Sequence, residues 1–348
     1  MITHIFIPAL PRMTGGLAVL ARLANCLEAS GFSVCFVTSG GLPPGFTPEA
    51  VPCLPLDRAK PGRSDIWLVP EGFGNALAPG LQAKARCVVY VQNWAYLLSG
   101  LPAGVRWQQL PVYFLSVSQP VAWFTEWVTG RASSILRGGI DRALFCPDPE
   151  RRGRAERGFP PGSGPVRIAW MPRKNRALAI QIRALMEARL PEAFPGLRLE
   201  WVEIHNMPQI KVADVFRSCA IFLATGFPEG LPLPPLEAMG CGAVPVGFSG
   251  LGGFDYMRQV PHAEAFIPWW PHESDFDMPG NGFFAADGDI PRAAICLEHA
   301  FARVCEGGPA AVALFDAGQR TADAHSLALF GENARALWQA AASWEIWG

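Results

Sequence analysis

Residues 229–237 read Glu229-Gly-Leu-Pro-Leu-Pro-Pro-Leu-Glu237, two carboxylates eight positions apart with a Gly-Leu-Pro turn between them. The apolar run before them at 219–225, Cys-Ala-Ile-Phe-Leu-Ala-Thr, has the length and composition of a buried strand. After Glu237, Ala238-Met-Gly-Cys-Gly242 reads as a short helical piece closed by glycines, and Ala243-Val-Pro-Val-Gly-Phe248 as a second buried strand. Strand, carboxylate loop, short helix, strand and glycine loop make half of an open α/β sheet. Such sheets bind ligands at the carboxyl ends of their strands, where Glu237 and the loop bearing Glu229 are expected to face. A carboxylate there accepts hydrogen bonds from the hydroxyls of a sugar or ribose, which points to a nucleotide-sugar site.

With its flanks, from Phe222 to Gly253, the stretch resembles the E-x7-E signature of retaining, nucleotide-sugar-dependent glycosyltransferases of the family 4-like type. The resemblance rests on Pro-Glu-Gly at 228–230, Leu-Glu-Ala-Met at 236–239, Cys-Gly at 241–242, Val-Pro-Val at 244–246 and Ser249-Gly-Leu-Gly-Gly253. Two glutamates at a fixed spacing carry little by themselves; these neighbours in this order carry the resemblance. It implies a GT-B fold, two Rossmann-like α/β domains whose parallel sheets face a central cleft. It also implies transfer of a hexosyl or deoxyhexosyl unit from a nucleotide sugar to an acceptor hydroxyl in bacterial glycan or glycoconjugate biosynthesis. The short segment Tyr90-Val-Gln-Asn-Trp94 is further similar to bacterial surface-polysaccharide enzymes, rhamnosyltransferases among them.

Length and composition agree. A chain of 348 residues predicts about two domains, each able to bury its own core. Half the residues are hydrophobic, 17% are charged and the formal net charge is -1, so no basic excess suggests a nucleic-acid partner. Charge alone gives no membrane signal, and peripheral membrane association through a local patch stays open. Nine cysteines without a C-x-x-C pair read as reduced, mostly buried thiols of a cytoplasmic protein. Met1-Ile-Thr-His-Ile-Phe-Ile7 reads as a first strand rather than a signal peptide, and no run reaches the ~20 apolar residues of a spanning helix.

The N-terminal half alternates strands and helices. Residues 4–10 read as a buried strand, 17–29 as an amphipathic helix capped by Gly31, and 32–38, 66–69, 87–92 and 113–118 as further strands. Apolar strands interleaved with helices imply a parallel sheet covered on both faces. Gly15 and Gly16 stand where a phosphate-binding turn belongs; paired glycines let backbone N–H groups approach a ligand at a helix start. In the resembled family this loop lies across from the donor phosphates.

Arg137-Gly-Gly-Ile-Asp-Arg-Ala-Leu-Phe145 is similar to the family segment that ends the first domain, with Gly138 where asparagine is usual. Residues 147–165 then load on Pro, Gly and Arg, as linkers do. The expected organisation is an acceptor-side domain over 1–150, a linker over 151–164 and a nucleotide-sugar domain over 165–330. A tail over 331–348, ending Trp344-Glu-Ile-Trp347, is expected to fold back on the first domain or to fray. The second domain opens with a strand at 166–171 and a helix to about 190. A strand at 199–204, helices at 212–218 and 292–306 and a helical stretch at 310–341 complete it. Arg173 and Lys174 follow its first strand directly, where cations reach a diphosphate, and Arg176 lies close behind.

The resemblance supplies roles for these positions. Glu229 would contact hydroxyls of the donor sugar and Glu237 would hold the ribose. Gly252 and Gly253 would bring N–H groups to the phosphates, with Gly230 and Leu231 in the same donor loop. Arg173 and Lys174 would neutralise the departing diphosphate, and Arg176 is a third candidate for that work. Cations and helix N-termini can stabilise that leaving group without a metal or other cofactor. On the acceptor side the strand at 87–92 ends in Gln92-Asn93-Trp94, so Asn93 and Trp94 stand where many relatives carry a histidine. Trp269 and Trp270 also fall on expected loops, and His4 and His262 read as structural or exposed rather than catalytic. The acceptor could be a glycan, a lipid-linked glycan or a small molecule. Two relatives of this reading are a sugar-nucleotide epimerase on the same fold and a non-catalytic sugar-nucleotide or glycan-binding protein. A nicotinamide-dependent oxidoreductase would need a G-x-G-x-x-G loop that Gly15-Gly16 does not supply.

Overall fold

The computed structural model describes residues 1–46, 50–263, 265 and 279–342; Trp269, Trp270, Trp344 and Trp347 lie outside the described residues. The chain forms two compact units, Met1–Gly138 joined by Ala328–Gly348, and Gly139–Leu327.

The first unit runs β1 (Ile2–Ile7), α1 (Gly15–Ala29), β2 (Ser33–Thr38), β3 (Cys53–Pro55), β4 (Ile66–Pro70), α2 (Ala78–Gln82), β5 (Arg86–Val91), β6 (Val112–Ser116), α3 (Gln119–Thr129) and β7 (Ser133–Ile135). All pair in parallel in the order β3-β2-β1-β4-β5-β6-β7. The central strands are buried nearly throughout, which is why they read as continuous apolar runs rather than alternating ones. Thr14 caps α1 by accepting the Leu17 N–H, so the helix begins at Gly15, two residues before its apolar stripe of Leu17, Leu20, Leu23, Ala24 and Leu27. The chain returns to this unit in its last helix, where Trp338 Nε1 donates to Thr3 Oγ1 and Arg86 Nη1 donates to the Ala341 carbonyl.

The second unit contains α4 (Arg151–Arg157), β8 (Val166–Trp170), α5 (Arg176–Ala193), β9 (Leu199–Glu203), α6 (Gln209–Ser218), β10 (Ile221–Ala224), α7 (Leu233–Gly240), β11 (Val244–Phe248), β12 (Phe283–Ala285), α8 (Ile290–Glu306) and α9 (Gly308–Asp323). The final helix, α10 (Leu327–Ala342), follows it. Its five strands are parallel in the order β12-β11-β10-β8-β9. Ile168, Leu223, Val246 and Phe283 from four strands meet Ile182 and Met186 of α5 and Leu297 and Phe301 of α8 in one core.

Three local differences from the sequence reading have physical causes. The division between units falls at Gly138–Gly139, and the segment expected as linker holds α4, because the Arg151 guanidinium donates to the Gly242 and Cys219 carbonyls of the second unit. The stretch at 310–341 is two helices, interrupted where Ser326 bridges Ile140. The helix after Glu229 starts at Leu233, not at Ala238, since prolines are tolerated in a first turn whose N–H groups lack partners. All nine cysteines are free thiols. Among the described residues no helix is long and apolar enough to cross a membrane.

Candidate functional site

In a doubly wound sheet the ligand crevice opens where neighbouring strands lead off to opposite sides. In the second unit that point lies between β8 and β10, and the loops leaving both strands carry the residues singled out above. The loop after β8 is Met171-Pro-Arg-Lys-Asn175, whose last residue takes a left-handed conformation, φ 56°, before α5 begins. Asparagine accepts that conformation at low cost, and its side chain secures the turn by donating to the Thr225 and Phe227 carbonyls. The two loops are thereby tied together.

This tie brings Lys174 onto Glu229. The Nζ lies 2.8 Å from Glu229 Oε1 and donates to the Pro228 carbonyl at 3.0 Å. The two side chains are about a quarter and a fifth exposed, shielded enough for a charge-assisted hydrogen bond yet open to a ligand. They line an open recess together with Arg173, Thr225, Gly226 and Pro232. Arg173 is exposed and makes no hydrogen bond or ion pair with a described residue. Arg176 turns elsewhere: it sits over the Trp170 ring and 3.5 Å from Glu203.

Glycines fix the position of Glu229 from the other side. The Glu229 N–H donates to the Gly250 carbonyl, and the Gly252 N–H donates to the Glu229 carbonyl. A Cβ on Gly252 would fall 1.7 Å from the Gly230 oxygen, and one on Gly250 2.6 Å from Glu229 Cβ, so neither place takes a side chain. The N–H groups of Gly252 and Gly253 are already spent inside the protein, the second on the Ser249 carbonyl, and their glycine identity serves close backbone packing instead. Gly230 belongs to that contact, while Leu231 packs into the second unit's core. Glu237 lies within α7, half-buried. Buried Tyr256, whose hydroxyl donates to Pro232 O, has its pKa pushed up by burial first and then by the charges of Glu229, Asp255 and Glu237.

Sequence reasoning missed Asp287. It lies in an Asp-x-Asp triplet, Asp287-Gly-Asp289, the only one among the described residues; a second, Asp275-Phe-Asp277, lies outside them. Asp287 accepts the Gly250 N–H at 2.9 Å, and Asp289 caps α8. Its carboxyl is desolvated on the loop side although the residue as a whole is exposed, and this, with the Glu229 charge, raises its pKa. No three His, Cys, Asp or Glu side chains converge as a metal-binding cluster among the described residues.

The first unit has its own crevice, between β1 and β4, and a second missed carboxylate there. Glu71, 6% exposed, directly follows β4 and accepts the Gln92 and Asn93 N–H groups at 3.1 and 2.8 Å, one on each oxygen. Burial pushes its pKa up to about 7, against the pull of those donors. The turn it holds carries both acceptor-side candidates. Asn93 caps a short turn by accepting the Ala95 N–H, and Trp94 packs edge-on against Phe124. Gly16 lies against Gln92, whose Oε1 would be 3.0 Å from a Cβ there, whereas nothing lies near Gly15. A sequence signal for Glu71 existed: Pro70-Glu71-Gly72 repeats Pro228-Glu229-Gly230, the first at the end of β4 and the second in the loop that follows β10. His4 is buried and structural, with Nε2 3.6 Å from Asp65 and its ring beside Trp67.

No family model matches the sequence and no curated protein matches it. Solved structures do resemble the chain over nearly its whole length. The catalytic domain of starch synthase IV from Arabidopsis thaliana, bound to ADP and acarbose, is 14% identical; the match covers 98% of this chain and 99% of that one at a TM-score of 0.65. A sucrose-phosphate synthase from Thermosynechococcus elongatus is 12% identical, with 97% and 98% covered and a TM-score of 0.64. Anabaena HepE in complex with UDP and glucose is 12% identical, with 98% and 100% covered and a TM-score of 0.63. At such identities the likeness shows the fold: two Rossmann-like parallel-sheet domains, the GT-B fold of these glycosyltransferases.

Proposed function

We propose that this chain is a nucleotide-sugar-dependent glycosyltransferase that moves a hexosyl or deoxyhexosyl unit to an acceptor hydroxyl with retention. The observation that carries the reading is the Lys174–Glu229 pair at the crevice of the second unit's sheet, 2.8 Å apart with Arg173 on the same recess. Its support is a fold shared with enzymes captured with ADP and acarbose or with UDP and glucose.

Glycosyl transfer passes through an oxocarbenium-like state, so the protein must take up charge on a departing diphosphate while holding the sugar. Lys174 and Arg173 supply the cations. The first turn of α7 offers few N–H donors, because Pro232, Pro234 and Pro235 have none, and this shifts the work further onto those side chains. Glu229 exchanges its bond with Lys174 for hydroxyls of the donor sugar, freeing Nζ for the phosphates at the same moment. Glu237 holds the ribose. On this reading the side-chain cations do the work of a metal, and the transfer runs without a metal or other cofactor. In the first unit, Asn93 and Trp94 form the acceptor side on the turn held by Glu71, and Gly15 and Gly16 serve the donor phosphates. The acceptor is a glycan, a lipid-linked glycan or a small molecule, and the setting is bacterial glycan synthesis in the cytoplasm or at the inner face of the membrane.

The test is a thermal-shift panel of nucleotides and nucleotide sugars, without metal and then with Mg²⁺. Ligand at 100 times its Kd stabilises the folded chain by about 2.7 kcal/mol. One nucleoside diphosphate and its sugar should raise the midpoint in the absence of metal. A cooperative melt unmoved by every member of the panel refutes the reading, and a shift that needs Mg²⁺ refutes metal independence.

A further inference from the structure

At the far end of the second unit's sheet, the amino ends of β10 and β11, a narrow recess is lined by three arginines: Arg151 and Arg154 of α4 and Arg303 of α8. No carboxylate lines it; the remaining wall is largely apolar, including Phe159, Val244, Leu314 and Phe315. Arg151 is 6% exposed. Its Nε and Nη2 donate to the Gly242 and Cys219 carbonyls, but its Nη1 is buried without an acceptor, and so is Nε of Arg303. None of the three makes an ion pair with a described residue, whereas the neighbouring Arg152 is matched by Asp316 at 3.2 Å. Arg154 stands one turn from Arg151 on the same face of α4.

Arg151 is buried, Arg154 and Arg303 are half-buried, and the charge of Asp148 acts on Arg151 more weakly than that of Arg154; guanidinium groups gathered in this way are unfavourable unless an anion joins them. Burial, and then the like charge of Arg154, lower the Arg151 pKa to about 10, so the group stays charged at neutral pH. A planar fork of N–H donors matches the oxygens of a tetrahedral oxyanion. We propose that Arg151, Arg154 and Arg303 form a binding site for an inorganic tetrahedral oxyanion, phosphate in type, at the opposite end of the strands from Glu229. The anion ties α4 to α8 and fixes the segment that begins the second unit.

The probe is sodium phosphate against sodium chloride at matched ionic strength, read by thermal midpoint and by titration calorimetry. Three proteins are compared: the unchanged chain, Arg154→Met with Arg303→Met, and Arg173→Met with Lys174→Met. Phosphate should stabilise the first and the third alike and bind the second at least tenfold more weakly. Arg303→Lys, which keeps the charge without the fork, should also weaken binding and provides a folded variant if the double exchange melts. Loss of the shift in the Arg173 and Lys174 variant alone would place phosphate in the recess beside Glu229 and overturn the proposal. An equal shift in all three proteins, or no difference between phosphate and chloride, overturns it as well.

Discussion

Glu71→Gln isolates the energetic cost of one buried charge. The carboxyl pKa is raised from 4.5 in the unfolded chain to about 7 in the folded one, with burial the main cause. Between those values the folded chain holds a proton that the unfolded chain has released, so stability falls as pH rises through that window. At ~1.4 kcal/mol for each tenfold change in protonation, ionising Glu71 in place costs about 3 kcal/mol once pH exceeds 8. Glutamine keeps the shape and one acceptor oxygen but cannot ionise. It leaves one of the Gln92 and Asn93 N–H groups without its partner, which costs about 1–3 kcal/mol at any pH. The variant should therefore be the less stable protein near pH 5 and should gain about 2–3 kcal/mol on the unchanged chain by about pH 8.5. Urea unfolding followed by tryptophan fluorescence reads this, in the transition of the first unit, where Trp67 is fully buried. Stability curves for the two proteins that run parallel between those pH values would refute the assigned cost.

Three further outcomes follow from the same geometry. Glu229→Gln keeps an oxygen that can accept from Lys174 but removes the charge that pairs with it, and should cut kcat/KM for transfer by about a hundredfold, near 3 kcal/mol, with an unchanged circular dichroism spectrum; near-normal turnover would remove Glu229 from the site. Gly252→Ala forces a methyl group against the Gly230 carbonyl, so the loop must shift; about 1–3 kcal/mol of stability should be lost together with donor affinity, and a variant with an unchanged midpoint and Kd would contradict the contact. Asn175→Ala removes both bonds that tie the loop after β8 to the loop after β10 and puts alanine at a positive φ. A loss of about 2–4 kcal/mol in chemical denaturation is expected, and a loss under roughly 0.5 would show the tie to be idle.

Much of the second unit was legible because parallel strands buried on both faces must be apolar along their whole length. Residues 219–225 and 243–248 announce themselves that way, and the strands form at Ile221–Ala224 and Val244–Phe248. Short edge strands were not legible: β3, β7 and β12 have three residues each, too few for a pattern to stand out. Composition misled at 147–165, where Pro, Gly and Arg suggested a linker. Whether an arginine stays in solvent or reaches buried carbonyls, as Arg151 does, depends on what folds against it.

The sequence by itself determined which residues form strands, where loops follow them, and that carboxylates and cations stand at those loops, because local apolar runs and turn residues encode this. The tertiary structure alone decided which of them meet. Lys174 reaches Glu229 because β10 lies beside β8, a choice of strand order made by the packing of the whole sheet. The same packing spends the Gly252 and Gly253 N–H groups inside the protein, buries Glu71 against two backbone donors and sets Arg151, Arg154 and Arg303 around one recess. Hydrogen bonds and charge encounters between residues distant in sequence are consequences of chain topology, and short-range patterns carry no record of them.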